Sequence, residues 1–350
     1  MSIVKVKVGE VILGDGVIKV QSMTKTPTSD VSGVLAEIEE LKKEGCEIVR
    51  VGIPSEKEVY NFKKIVEKST LPVVADIHFN YEIAIKAMEY GAQKIRINPG
   101  NLGGEEKFKK VLEVAKYYDV PVRIGVNAGS ISLDILERNN YNFAEAMVES
   151  ALKWVRFAER EKFYNIVVSV KHSDVHETVK AYRLLSGVIP YPLHVGITEA
   201  GPPPEGIYKS VIGIGSLLID GIGDTIRVSL TGSSVEEVRV AYQILESLGL
   251  RLRHIQIISC PMCARKRVDV EKLVNEFRDK IRRSNLENIP LKVAIMGCEV
   301  NGPGEARQAD IGIAPGLKYS LLFKKGKIIK KVPNDKAIDF LIEEIKKWKN

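Results

Sequence analysis

KIRINPGNLGGEEKFKKVLEVAKYYDVPVRIGVNAGS, residues 94–130, holds two short β-rich runs around one helical pattern. KIRINPG (94–100) ends in proline and glycine, a helix-period stretch follows, and PVRIGVNAG (121–129) opens the next strand. The same unit recurs on both sides. GVIKVQSM (16–23), IVRVGIP (48–54) and PVVADIH (72–78) precede it; NIVVSVKHSD (165–174), LHVGITEAG (193–201) and TIRVSL (225–230) follow. VSGVLAEIEELKKEG sets Val34, Leu35, Ile38 and Leu41 on one helical face and stops at Gly45, while SSVEEVRVAYQILESLG offers Ser233 or Ser234 as N-cap and stops at Gly249. Eight strands alternating with helices predict an α/β fold, a TIM (β/α)8 barrel, with a doubly wound open sheet as the alternative.

The pattern changes after residue 250. HIQIISC and LKVAIMGC are strand-like, a helix lies around 268–283 between them, and a glycine-rich NGPGEA follows. A short IGIA run, a hairpin through YSLLFKKGKIIKKV and a closing helix complete a small α+β domain. The expected division is residues 1–252 for the barrel and 253–350 for the small domain.

Apolar residues make up 45% of the 350 residues and charged ones 28%, which excludes a disordered chain. No apolar run is long enough to span a bilayer, and the N-terminus alternates apolar residues with lysines in place of a secretory h-region. Four cysteines, two of them in a close pair, indicate metal or redox chemistry in a reducing, cytoplasmic compartment. The formal charge of +7 permits nucleic acid, acidic lipid or a phosphorylated small molecule. No aromatic-interleaved RNA-binding signature occurs, and the lysines of 323–331 and 342–350 read as a solvated hairpin and a helix face.

Barrel enzymes place their chemistry at the carboxyl ends of the strands. Five strands here carry a cation among β-branched residues: Arg50, Arg96, Arg123, Lys171 and Arg227. Residues two apart share a strand face, so Arg96 points with Asn98, Arg123 with Asn127, and Lys171 with Ser173. Cations converging on one mouth repel one another unless an anion faces them, and guanidinium forks match phosphate oxygens. Structural pairing with Asp76, Glu199 or Asp224 is the competing reading for any one of them. Asp76 and His78 share a face in ADIH, and Glu199 ends GITEAG; these are the acid/base candidates. His172 and His176 have ligand-like spacing but no third partner nearby in sequence, which favours a structural role.

SCPMC (259–263) brings Cys260 and Cys263 to the end of one strand, and Cys298 ends another. Cys46 falls at the barrel's opposite end and reads as a small core residue. Three thiolates leave the site one ligand short, with Glu305 across NGPG as the nearest candidate. A structural zinc site is closed by four N or S ligands, whereas iron–sulfur clusters prefer thiolates and a carboxylate there is exchangeable. Spacing leaves both open.

VQSMTKT (20–26), VADIHF (74–79), RINPGN (96–101), RIGVNAGS (123–130), GITEAG (196–201), GIGDTIRVSL (221–230), SCPMC and GCEVNGPGEARQADIG (297–312), in this order, resemble the 4-hydroxy-3-methylbut-2-en-1-yl diphosphate synthases, iron–sulfur enzymes of the non-mevalonate isoprenoid pathway. The resemblance spans nearly the whole chain. It implies a TIM barrel with a small reductase-like domain, and one 4Fe-4S cluster per chain held by Cys260, Cys263, Cys298 and Glu305. It implies reductive ring opening of a cyclodiphosphate by a homodimer, in which one subunit's small domain closes over its partner's barrel, with flavodoxin or ferredoxin as electron donor. Glu199 would be the proton donor, with Asp76, His78, Asn98 and Asn127 positioning the substrate. Two other readings compete: a zinc-dependent barrel hydrolase of a phosphorylated sugar, and an iron–sulfur sensor of nucleic acid.

Overall fold

Eight strands form one sheet in the computed structural model, which describes residues 2–264, 266–298 and 308–348. The chain divides into two compact units, Met1–Ile244 and Leu245–Asn350. In the first, a two-stranded antiparallel ribbon of β1 (Val6–Val8) and β2 (Val11–Leu13) precedes the barrel. The barrel strands are β3 (Lys19–Met23), β4 (Ile48–Gly52), β5 (Val73–Asp76), β6 (Lys94–Ile97), β7 (Val122–Asn127), β8 (Ile166–Lys171), β9 (His194–Val195) and β10 (Thr225–Ile226). All neighbours from β3 to β8 pair in parallel and in sequence, and β10 pairs with both β3 and β9. A parallel bridge between Val168 and Leu193 joins β8 to the β9 segment and closes the ring. The open doubly wound alternative is thereby excluded.

All eight predicted strands are present. Their runs are β-branched because a parallel sheet covered by helices is buried on both faces. LHVGITEAG and TIRVSL keep only two regularly paired residues each. A Cβ at position 196 would stand 2.3 Å from the Arg227 carbonyl oxygen, so β9 runs against the backbone after β10 more closely than a side chain allows. The helix after β3, Val31–Lys43, is capped by Asp30 and ends before Gly45 at φ +98°. Val34, Ile38 and Leu41 are its buried face, whereas Leu35 is only partly covered. The β1–β2 ribbon, which the alternating N-terminus does not by itself announce, packs Val6, Val8 and Leu13 against Ile48, Val74 and Val167 under the barrel floor.

The second unit holds a five-stranded mixed sheet: β11 (Gln256–Ser259), β12 (Lys292–Ile295), β13 (Ile311–Pro315), β14 (Tyr319–Lys324) and β15 (Lys327–Pro333). β11, β12 and β13 are parallel; β14 and β15 continue antiparallel. Lys325 and Gly326, both at positive φ, make the tight turn between Lys324 and Lys327. The helices Val270–Arg283 and Ala337–Lys346 cover one face through Phe277, Ile281, Leu341 and Ile345.

Candidate functional site

Burial dictates the chemistry at the barrel's strand ends. Asp76, the last residue of β5, is almost fully buried among cations. Its Oδ1 accepts from Arg96 Nη1 at 3.2 Å, and its Oδ2 lies 3.7 Å from Arg50 Nε and 3.5 Å from His78 Nε2. Burial alone would raise this carboxyl's pKa; Arg50, the His78 hydrogen bond and Arg96 override it and hold the carboxyl well below the usual range. Arg50 also points its Nη2 at Met23 Sδ, 2.9 Å away.

Among the described residues, Arg123 on β7 and Lys171 at the end of β8 form no ion pair with a carboxylate. Arg123 is 1% exposed, and its Nε and Nη1 find no hydrogen-bond partner among the described residues. Arg96 Nε and Arg227 Nε are likewise buried without one. Burial pushes Arg123, Lys171 and Arg227 towards deprotonation, the last down to about 10, and Arg50 adds repulsion in each case. Arg227 is steadied by Glu237 Oε2 at 3.5 Å. The five sequence-predicted cations therefore meet, each within reach of the others' charge, and Asp76 and Glu237 are the carboxylates among them. Asp224 does not join: its oxygens accept from Ser2 Oγ and the Leu193 amide, both at 2.8 Å.

Glycine makes room for this cluster. A Cβ at Gly125 would sit 2.8 Å from Arg96 Nε, and one at Gly196 2.8 Å from Lys171 Nζ. Asn98 donates to Ser130 Oγ at 2.6 Å and accepts from the Gly100 amide, so it shapes the turn after β6. Asn127 opens the turn after β7, where Ser130 Oγ donates to its carbonyl at 2.6 Å. Ser173 lies beside His172. Glu199 is exposed after β9 at φ +50°, a strained position for a non-glycine residue and one that concentrates at functional sites. The neighbouring Thr198 amide donates to the His172 carbonyl, which keeps this segment at the end of β8. His172 Nδ1 accepts from the Asp174 amide while His176 is exposed, so the pair is structural.

Three buried polar residues were not among the sequence-predicted set. Lys94 is fully buried two positions before Arg96, with Nζ 3.3 Å from Gln21 Oε1. His194 is fully buried and hydrogen-bonded to Thr225; burial and the Lys171 and Arg123 charges keep it neutral. Glu237, 1% exposed, takes Lys25 Nζ at 2.9 Å and the Leu230 amide at 3.0 Å as well as Arg227. The period-two alternation of KIRIN would have found Lys94; nothing in SSVEEVRV separates Glu237 from a solvated helix charge.

The second unit holds the thiols. Cys260 and Cys263 follow β11, Cys298 follows β12, and β11 and β12 are neighbouring parallel strands, so the three come to one end of the sheet. They line a cavity of about 150 Å³ with Pro261, Met262, Met296 and Gly297. A Cβ at 297 would fall 3.0 Å from Cys260 Sγ and 2.8 Å from Val270, so glycine keeps the thiol side of the cavity open. None of the cysteines is in a disulfide. Soft thiol donors around an open cavity fit an iron–sulfur cluster. Among the described residues no three His, Cys, Asp or Glu side chains are gathered as for a single metal ion. Glu305 lies outside the described residues. Cys46 is buried in the barrel core against the Ile48 carbonyl, and burial pushes its thiol up to about 12.

Fold and site together define a (β/α)8-barrel protein with a cation-lined mouth and a separate sheet unit carrying three thiols in one cavity. The GcpE TIM-barrel domain family matches residues 3–242, and the GcpE protein C-terminal domain family matches residues 256–347. The chain belongs to the GcpE family. It is 53% identical to the 4-hydroxy-3-methylbut-2-en-1-yl diphosphate synthase (flavodoxin) of Caldanaerobacter subterraneus subsp. tengcongensis, over 98% of this chain and 96% of that one. The protein of the same name from Thermodesulfovibrio yellowstonii is 49% identical over 98% of both chains. Among solved structures, dihydropteroate synthase from Stenotrophomonas maltophilia superposes with a TM-score of 0.51 at 15% identity, covering 70% of this chain and 98% of that one, a likeness of barrel fold alone.

Proposed function

We propose that the chain reduces 2-C-methyl-D-erythritol 2,4-cyclodiphosphate to 4-hydroxy-3-methylbut-2-en-1-yl diphosphate in isoprenoid biosynthesis. Two electrons and two protons enter, the ring C–O bond breaks, and one water leaves. The observation that carries this is the set of buried guanidinium donors on Arg96, Arg123 and Arg227 without partners among the described residues. Buried donors of this kind are costly unless a ligand takes them, and two phosphoryl groups supply enough acceptor oxygens. The relatives' shared name supports the same reading.

In this reading Arg50, Arg96, Arg123, Lys171 and Arg227 bind the diphosphate. Asp76 fixes the forks of Arg50 and Arg96, and His78 joins through the same carboxylate. Asn98, Asn127 and Ser173 shape the rim. Glu199, at the end of the β9 segment, would donate the proton that leaves with the departing oxygen. Cys260, Cys263, Cys298 and Glu305 would hold one 4Fe-4S cluster, which when bound supplies electrons singly and a Lewis-acidic iron. The residues of 1–252 would serve the substrate and those of 253–350 the cluster. Flavodoxin is the electron donor of this reading, with ferredoxin as the substitute. The assembly would be a cytoplasmic homodimer, one subunit's small domain serving its partner's barrel. The structure itself contributes that no described helix is long and apolar enough to cross a membrane.

The test is iron, acid-labile sulfide and zinc content after anaerobic purification, followed by 31P NMR of the cyclodiphosphate with a chemical reductant. About four irons and four sulfides per chain with the linear diphosphate as product is the expected result. Zinc without sulfide, and no turnover, would overturn it in favour of the hydrolase.

A further inference from the structure

The segment Gly316–Lys336 contains seven lysines and one carboxylate, Asp335. It therefore carries six of the chain's seven net positive charges. Every one of these lysines is exposed. Lys324 and Lys330 rest on the rings of Trp348 and Phe340 at 4.0 Å. Lys318, Lys325, Lys327 and Lys331 have no ion pair among the described residues. Apolar side chains stand exposed between them: Leu317 at 79%, Ile328 at 55% and Ile329 at 46%.

Lysines on an edge strand commonly deter pairing with other chains, and β15 is an edge. That role needs a charge or two on the edge itself. It does not call for Lys318 in the β13–β14 turn, nor for bare leucine and isoleucines beside the charge. Position adds a reason. β13 runs parallel to β12, so the Gly316–Lys318 turn lies at the sheet end where β11 and β12 deliver their cysteines. Strand spacing puts that turn roughly 5–10 Å sideways from the end of β12. Lys331, paired with Leu321 near the start of β14, extends the patch along the same end.

We infer that the thiol end of this segment, Lys318, Lys331 and Lys336 beside the exposed Leu317, is the docking surface for the reductant, an acidic flavin-carrying protein that meets the second unit beside its thiols. The inference rests on the proposed function and adds where the electron donor sits. A basic patch around small apolar anchors suits a transient encounter: charge steers the approach, the contact stays small, and release is fast.

The test compares the cluster-loaded enzyme with its Lys318→Glu/Lys331→Glu/Lys336→Glu variant. Turnover is driven in parallel by reduced flavodoxin and by dithionite with a viologen, and binding of oxidised flavodoxin is followed by flavin fluorescence. The expected result is a KM and a Kd for flavodoxin about tenfold higher in the variant at low salt, with dithionite-driven turnover unchanged. For the unaltered enzyme, the flavodoxin KM should climb steeply towards about 0.3 M salt. A variant KM and Kd within twofold of the original would overturn the inference, as would a salt-independent flavodoxin KM in the unaltered enzyme. Charge-dependent retention on DNA or on anionic vesicles without any effect on flavodoxin would also overturn it. Should neither reductant give turnover, the proposed function fails, and flavodoxin binding still decides the docking surface by its own readout.

Discussion

Gly125→Ala adds one carbon beside the cation cluster. The new Cβ would lie 2.8 Å from Arg96 Nε, 3.3 Å from Arg96 Nη2 and 3.3 Å from Ser169 Oγ. Ordinary contact needs about 3.5 Å, so the guanidinium has to give by roughly 0.7 Å. It has little freedom to do so, being 5% exposed and tied through Nη1 to Asp76 at 3.2 Å. Productive geometry tolerates about 0.5 Å, so Arg96 should lose its fit to a phosphate oxygen. A hydrogen bond to a charged group is worth about 1.5–3 kcal/mol, which converts to roughly 10- to 150-fold in affinity. Gly125 lies in a regular strand, so alanine strains no backbone there. Gly52→Ala is the control: its Cβ meets only Met23 Cε, at an ordinary 3.6 Å. Isothermal titration with the cyclodiphosphate should show the loss for Gly125→Ala and less than a twofold change for Gly52→Ala. Unchanged affinity in Gly125→Ala with the fold intact would refute a substrate role for Arg96.

Replacing Cys260, Cys263 or Cys298 with serine should abolish iron and sulfide binding, whereas Cys46→Ala should keep the cluster and lower only the melting temperature. Glu305→Ala should retain some cluster by absorbance but lose turnover; normal turnover would show the fourth ligand is not needed. Glu237→Gln leaves Lys25 and Arg227 short of their carboxylate and should cost about 3–5 kcal/mol, or roughly 6–20 °C in melting temperature by calorimetry. Asp76 has a depressed carboxyl, so its contribution is present above the unfolded value near 3.9 and fades as pH falls below it. The gap in guanidinium midpoint between the unaltered chain and Asp76→Asn should therefore narrow below about pH 4.

The barrel was legible because each parallel strand is a short β-branched run closed by a turn signal. Arg96 and Arg123 could be read as site residues because a cation inside such a run has no structural reason to be there. What escaped notice did so for physical reasons. Lys94 shares a strand face with Arg96 and was within reach of the alternation, but its partner, the Gln21 side-chain amide, comes from another strand. His194 Nδ1 meets Thr225 Oγ1 across β9 and β10, a pairing that no local pattern announces. Glu237 looks like helix solvation until the fold brings Lys25 to it from just past the first barrel strand, beside Arg227 at the end of the strand before its own helix. The lysines of this segment were legible as exposed charge, but that Lys318 and Lys331 fall towards the thiol end of the sheet follows only from strand order and register.

The β1–β2 ribbon under the barrel turns the strand cylinder into a blind well. Traffic at the carboxyl ends of the strands then shares one opening, inward and outward. On the proposed function, a product that keeps both phosphates would be held by the same guanidinium forks that bind the substrate. It would stand in the mouth that the next molecule has to enter, so turnover should be throttled by departure, and added linear diphosphate should inhibit competitively.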